Sequence, residues 1–492
     1  MSTEPWLQRI ALAVDTADRD GNLIALYGAI RRCNALSFRA PDKVALELYY
    51  YESNCWSAIA RLKLSSKTQW SWHQPEYVNQ VFCLRRILNS PTFNELSVTR
   101  QQQTRTNFAN IMNTLGRPIA AINAWGEVIA EVPEFAAALG NRGFGLIYLA
   151  KHLPDIQDKI RIAELARHHL TLAISDEAIW DSGQKEEAHP IFVKHLKEVR
   201  NFLDGKKNKP RKSKFKSTDK NYYNWCEKEK LHIDPLNIFG IDNFEREDWM
   251  HLPPHTYNIR TNSLRYVNMY NQLKSDYAYA RRNLYEGINY KGFDHTPVNL
   301  FDPFDDTIYG HSIEKFKSSL CDSYAIFDKI AVFINDYFNC EANIKRVNFR
   351  KVWYDKLDEN KPIRAAFYGN NNWPLRGLFF LSKDLFDKDF NGIADPDGET
   401  LDRIRNQIEH RFLSVTADES TVLGDETLSY INLDALQKYA LQMLVKAREA
   451  LILLCLAMHT EEFQRKQNAA QHDKDSIVIQ EPARPANKMS AP

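Results

Sequence analysis

The chain has 492 residues, with 64 lysines and arginines against 63 aspartates and glutamates and a formal net charge of +1. That balance excludes a global basic field as the means of holding nucleic acid, so any such contact must come from local patches. The length allows roughly two to four domains, and the longest uninterrupted apolar run, Ala450 to Met458, falls far short of a membrane span.

The opening Met1-Ser2-Thr3-Glu4-Pro5-Trp6 has neither the basic nor the apolar region of a signal peptide. The seven cysteines are scattered without a C-x-x-C pair, which argues against a zinc ribbon or a disulfide framework and fits a reducing compartment. The expectation is a soluble, cytoplasmic chain of all-α class. Cys226, beside Trp225, reads as a small core residue, since no histidine or basic partner is fixed nearby in sequence.

Residues 1–204 read as helical throughout. Asn107-Phe108-Ala109-Asn110 and Leu115-Gly116-Arg117 are echoed from Asn141-Arg142-Gly143 to Leu149, and aligning Asn107 with Asn141 and Leu115 with Leu149 gives a period of 34. Small residues at Ala109, Gly116, Ala120 and Gly143 would let paired helices approach closely. The pattern resembles a tetratricopeptide repeat over one and a half repeats. Helices at roughly 43–62 and 76–88 read as degenerate members of the same stack, and a stack of this kind is a surface for peptides, proteins or folded RNA rather than a site of chemistry.

From 205 to 220 the composition turns basic: Lys206, Lys207, Lys209, Arg211, Lys212, Lys214, Lys216 and Lys220. This reads as a linker, either a solvated hinge or a polybasic strap adding salt-dependent affinity for an RNA backbone. Beyond it, 221–465 is expected to be one helical domain. A first helix is predicted over 262–287, a second over 313–338, the segment around His410 as a third, and a long fourth over 428–463. Between the second and third lies an insertion, 340–394, whose Asp387-x-Asp389-x-Asn391-Gly392 imitates the start of a calcium loop. Position twelve is Gly398 rather than glutamate, so an acidic turn is the better reading. Residues 466–492 read as a disordered tail.

The richest stretch is 401–415. Leu401, Ile404, Ile408, Phe412 and Val415 draw one apolar stripe down a helix. His410 projects almost opposite that stripe, with Asn406 one turn before it. Arg405 lies about 140° around from His410, and its long stem can wrap across the helix. Arg405-Asn406-x-x-x-His410 resembles the R-x-x-x-x-H signature of the HEPN superfamily, in the form where a polar residue follows the arginine. The spacing recurs at Arg246 and His251, in a stretch broken by Pro253 and Pro254. Arg403, seven residues before His410, shares its face and is the alternative arginine; Asn406 favours Arg405. The aromatic run Tyr222-Tyr223-x-Trp225 resembles the lead-in to HEPN domains fused to tetratricopeptide repeats in bacteria.

The resemblance implies a helical bundle that dimerises and cuts RNA without a metal or cofactor. Arg405, Asn406 and His410 would be the catalytic residues, with the RNA contacts drawn from Lys206, Lys207, Lys209, Arg211, Lys212, Lys214, Arg403 and Arg411. His410 would move the 2′-hydroxyl proton, since imidazole titrates near neutral pH. Arg405 would brace the phosphorane, and the product would carry a 2′,3′-cyclic phosphate. The repeat stack would be a sensor, as in bacterial toxins or anti-phage defence proteins, with a protein or peptide as its ligand. Some HEPN toxins carry a modifiable tyrosine two residues after the histidine; here that place is Phe412. Rival readings are an RNA- or nucleotide-binding module that does not cut, and a tetratricopeptide scaffold. Paired prolines keep His251 and His255 off one helix face, and the absence of a phosphate-cradling glycine loop argues against an NTPase.

Overall fold

The computed structural model describes residues 5–64, 71–181, 183–209, 219–239, 247–253, 256–258, 264–290, 306–386, 398–417, 427–469 and 476–478. The N-terminal part is a run of helices, each packing on the next: α1 (Pro5–Arg19), α2 (Leu23–Ser37), α3 (Asp42–Lys63), α4 (Pro75–Leu88), α5 (Val98–Thr114), α6 (Pro118–Glu131), α7 (Ala136–His152), α8 (Ile156–Ala173) and α9 (Lys185–Leu203). Local chemistry sets their starts. Side chains of Asn22, Ser97 and Asp155 cap the first-turn N–H groups of α2, α5 and α8. Pro75 and Pro118 occupy first-turn positions of α4 and α6, where the missing N–H costs nothing. Helix starts step by 38 residues from Val98 to Ala136 and again from Pro118 to Ile156, a little longer than the 34 read from side-chain identities.

The C-terminal part holds α10 (Lys220–Lys228), β1 (Thr256–Asn258), α11 (Leu264–Asn289), β2 (Thr307–Ile308), α12 (His311–Tyr337), α13 (Trp373–Phe386), α14 (Gly398–His410), β3 (Phe412–Thr416), β4 (Leu428–Asn432), α15 (Leu433–Ala469) and β5 (Ser476–Val478). β3 pairs antiparallel with β2 and parallel with β4, and β1 pairs antiparallel with β5. Helices dominate, as the all-α reading requires; the strands are short additions to it. Within the stretch expected to be a disordered tail, Ser476–Val478 is β5.

α15 is the axis of this half. Every residue from Ala450 to Met458 is fully buried, because a helix apolar on all sides can only sit at the centre of a bundle. α11, α12 and α13 pack around it. Here the expected order of four helices is corrected: α13 lies within 340–394, so, counting from α11, the motif helix is the fourth of five among the described residues. α13 is buried nearly all round, from Trp373 through Ser382 and again at Asp384 and Leu385, and therefore shows no one-sided stripe to read.

α13 also joins the two halves. Gly116, at the turn between α5 and α6, meets Gly377 so closely that neither position has room for a Cβ. Trp373 Nε1 donates to the Asn113 carbonyl at 2.8 Å, and the Arg376 guanidinium to that of Thr114. Beneath them, Asp384 Oδ2 takes Arg85 at 2.6 Å and Arg117, while Arg117 grips Glu449 with two hydrogen bonds of 2.9 and 2.8 Å. One hydrophobic core runs from Ala60 to Met458 across the stack and the bundle. Residues 205–220 therefore divide the sequence, while the packing is continuous.

Candidate functional site

α14 lies against α12 and α13. Its buried face is Leu401, Ile404 and Gln407, with Ile408 half-buried against the core. The apolar stripe was expected to continue through Phe412 and Val415 in the same helix. Instead the helix stops at His410, and residues 412–416 switch to the two-residue alternation of a strand, with Leu413 and Val415 buried and Phe412 67 % exposed. The 3.6-residue and two-residue periods coincide over so short a run, which is why the pattern reads as one element.

His410 ends the helix in the open, with 66 % of its side chain exposed. Arg405 is turned the other way round the helix. Its guanidinium lies over the Tyr324 ring, 5.0 Å from the centroid, and its Nη2 pairs with Glu409 Oε2 at 2.7 Å. That same oxygen is 3.7 Å from His410 Nε2. The two motif residues therefore do not meet directly: Glu409, which the spacing gave no reason to select, stands between them. Asn406 Nδ2 donates to Asp402 Oδ2 at 3.3 Å, and the other Asp402 oxygen accepts from Tyr324 Oη at 3.0 Å. Burial pushes the Tyr324 hydroxyl well above its usual range and Asp402 adds to this, so it stays protonated and donates.

Behind Arg405 opens a cavity of about 420 Å³ between α12, α13, α14 and the segment around 348–351. Asp328, Lys351 and Phe386 contribute to its wall along with Tyr324, Asp402 and Arg405. Asp328 Oδ1 accepts from the Phe349 N–H at 3.2 Å; burial raises the carboxyl above its ordinary value, against smaller lowering by that hydrogen bond and Arg405. No sequence pattern ties Tyr324, Asp328 and Lys351 to the motif, because the fold alone brings them to it.

The other expected residues lie elsewhere. Arg403 and Arg411 are exposed near His410. Lys206 folds back on Phe202, giving a hydrogen bond to its carbonyl, with the ammonium 4.6 Å from the ring centroid. Lys207 is exposed, and Lys209 is tied to α8 through Gln157 and Arg161. Arg211, Lys212 and Lys214 lie outside the described residues, as do Arg246, His255 and the calcium-like turn at 387–392. Among the described residues no group of three or more His, Cys, Asp or Glu side chains is placed to hold a metal ion, and no helix is long and apolar enough to cross a membrane. All the cysteines are unpaired thiols, Cys226 buried among them.

No curated protein and no solved structure matches the chain. The family model described as LA2681-like HEPN matches residues 258–461, which run from β1 through α11–α14 into α15, and so the C-terminal helical part of this chain is a HEPN domain.

Proposed function

We propose that the chain is a metal-independent endoribonuclease. HEPN domains are generally of RNase type, and the observation that carries the reading further is the end of α14. An exposed imidazole and a guanidinium flank one carboxylate, on a helix whose opposite face is buried.

In this reading the RNA supplies its own nucleophile. His410 takes the proton from a 2′-hydroxyl, the 2′-oxygen attacks the adjacent phosphorus, and the P–O5′ bond breaks, leaving a 2′,3′-cyclic phosphate and a 5′-hydroxyl. Arg405 stabilises the charge gathering on the phosphorane oxygens. Only one of its donors is committed to Glu409, in an i,i+4 pair with both side chains more than a quarter exposed. Such a pair is worth only about 0.3–0.5 kcal/mol, so a phosphate can share or replace it. Asn406 orients the phosphate or the imidazole. The leaving 5′-oxygen needs a proton, and a second His410 from another copy of the chain supplies it. Phe412, exposed two residues beyond His410, offers an apolar anchor for that dimer.

Lys206, Lys207, Lys209, Arg211, Lys212 and Lys214 add affinity for the backbone, with Arg403 and Arg411 near the cut. The N-terminal stack serves as a tetratricopeptide-like sensor for a protein or peptide, and the whole as a toxin or defence effector in the cytoplasm. The test is to incubate purified protein with single-stranded RNA in excess EDTA and sequence the ends. Cyclic-phosphate products support the reading; activity that needs added magnesium or manganese contradicts it.

A further inference from the structure

The cavity behind Arg405 is of ordinary size for a ligand site, where roughly 300–1,000 Å³ is usual. Its wall is neither apolar nor of one charge. Asp328 presents a carboxylate with one oxygen engaged by the Phe349 N–H. Lys351 brings a cation, and Arg405 has a buried Nε without a hydrogen-bond partner among the described residues. Tyr324 and Phe386 add two rings, 5.6 Å apart and nearly perpendicular. A half-buried acceptor and donors beside aromatic faces call for a flat ligand with donors and an acceptor along one edge.

From this we propose that the cavity is a guanine site, which receives the base of a nucleotide next to the cleaved phosphate. Guanine alone among the RNA bases places two adjacent N–H donors, N1 and N2, beside an acceptor, O6. Asp328 accepts the two donors, Lys351 or the Arg405 Nε donates to O6, and the base lies against Tyr324 or Phe386. Adenine offers a carboxylate one donor, and the pyrimidines leave the rings half covered. The half-buried Asp328, raised above its usual range by burial and held by the Phe349 N–H, gains in guanine two further donors.

The assignment to RNA rests on the ribonuclease reading, so the test has two independent arms. In the first, binding of guanosine, inosine and adenosine 5′-monophosphates is measured by calorimetry on the full chain. Guanosine monophosphate should bind on the order of 10- to 100-fold more tightly than the other two. Asp328→Asn should erase that preference while keeping an acceptor for the Phe349 N–H, and Lys351→Met should weaken it without touching the core. In the second arm, cleavage sites are mapped on RNA carrying guanosine or inosine at matched positions. Guanosine-dependent cutting, lost in Asp328→Asn, supports a site that reads RNA; guanosine monophosphate binding with cutting indifferent to guanosine shows a site for the free nucleotide and overturns the assignment to RNA. Equal binding of all three nucleotides overturns the guanine site while leaving the ribonuclease reading intact. Binding as expected in a chain that cuts no RNA overturns the ribonuclease and spares the site.

Discussion

Two arginine–carboxylate arrangements in this molecule pair the same chemical groups and differ in burial. Arg117 is fully buried with Asp384, Glu449 and Arg85 at the seam between stack and bundle. Burial alone would raise Asp384 and Glu449, yet the arginines hold both carboxyls below their usual range. Arg405 and Glu409 form a single-turn pair at the surface, beside an exposed histidine. The first network cannot lose a member without stranding a charge in the core. The second can open to a phosphate at small cost. Buried pairing here belongs to the architecture, and in the proposed reading exposed pairing belongs to chemistry.

The largest effect on folding should come from the seam. Asp384→Ala leaves two buried guanidinium groups short of a partner and should cost about 3–5 kcal/mol in denaturant unfolding. Loss of less than 1 kcal/mol would break the contrast. Next comes the buried face of the motif helix, where Ile404→Ala removes methylenes from a site 1 % exposed and should cost on the order of 2–5 kcal/mol. Ile408, only half-buried, should cost less than Ile404.

A smaller effect concerns pH. Burial, with Lys151 and Lys159 adding, lowers His152 to about 4, and burial likewise lowers His459 to about 4. His152 Nδ1 lies 2.9 Å from Thr460 Oγ1, and His459 Nε2 3.2 Å from the His251 carbonyl. Both are neutral in the folded chain, whereas in the unfolded chain they protonate near pH 6.5. Their contribution is intact above about pH 6.5 and is lost as the pH falls towards 4. Below that, the depressed carboxyls of Asp384 and Glu449 add a further loss as they protonate. Melting at stepped pH should show the first loss flattened by His152→Gln with His459→Gln; an unaltered profile would remove these histidines from the account.

The basic run should affect neither fold nor chemistry. Neutralising Lys206, Lys207, Lys209, Arg211, Lys212 and Lys214 together should lower the salt slope of RNA binding by roughly 0.7 for each RNA phosphate that the chain no longer neutralises. An unchanged slope would make 205–220 a connection and nothing more.

Much of this was legible in the sequence because it was periodic. Helices near 43–62, 76–88, 262–287 and 313–338 lie within a few residues of α3, α4, α11 and α12, and the stripe through Leu401 and Ile404 marks the buried face of α14. α13 is buried nearly all round, so no single apolar face marks it within 340–394. The β3 strand hid inside a helical period. Glu409 is hidden because a glutamate at i+4 from an arginine is ordinary surface chemistry, and Asp328 because only the packing of α12 against α14 places it near the motif. The seam could not be read at all: Arg85, Arg117, Asp384 and Glu449 are far apart in the chain and join only when it folds.

The central claim is that the exposed end of α14 does chemistry and carries little of the fold. It is tested most directly by measuring thermal unfolding and RNA cleavage on one preparation of His410→Ala. Stability should stay within about 0.5 kcal/mol of wild type, while cleavage falls on the order of 10²–10⁴-fold. A His410→Ala chain that unfolds, or that remains folded and cuts RNA at the wild-type rate, would contradict it.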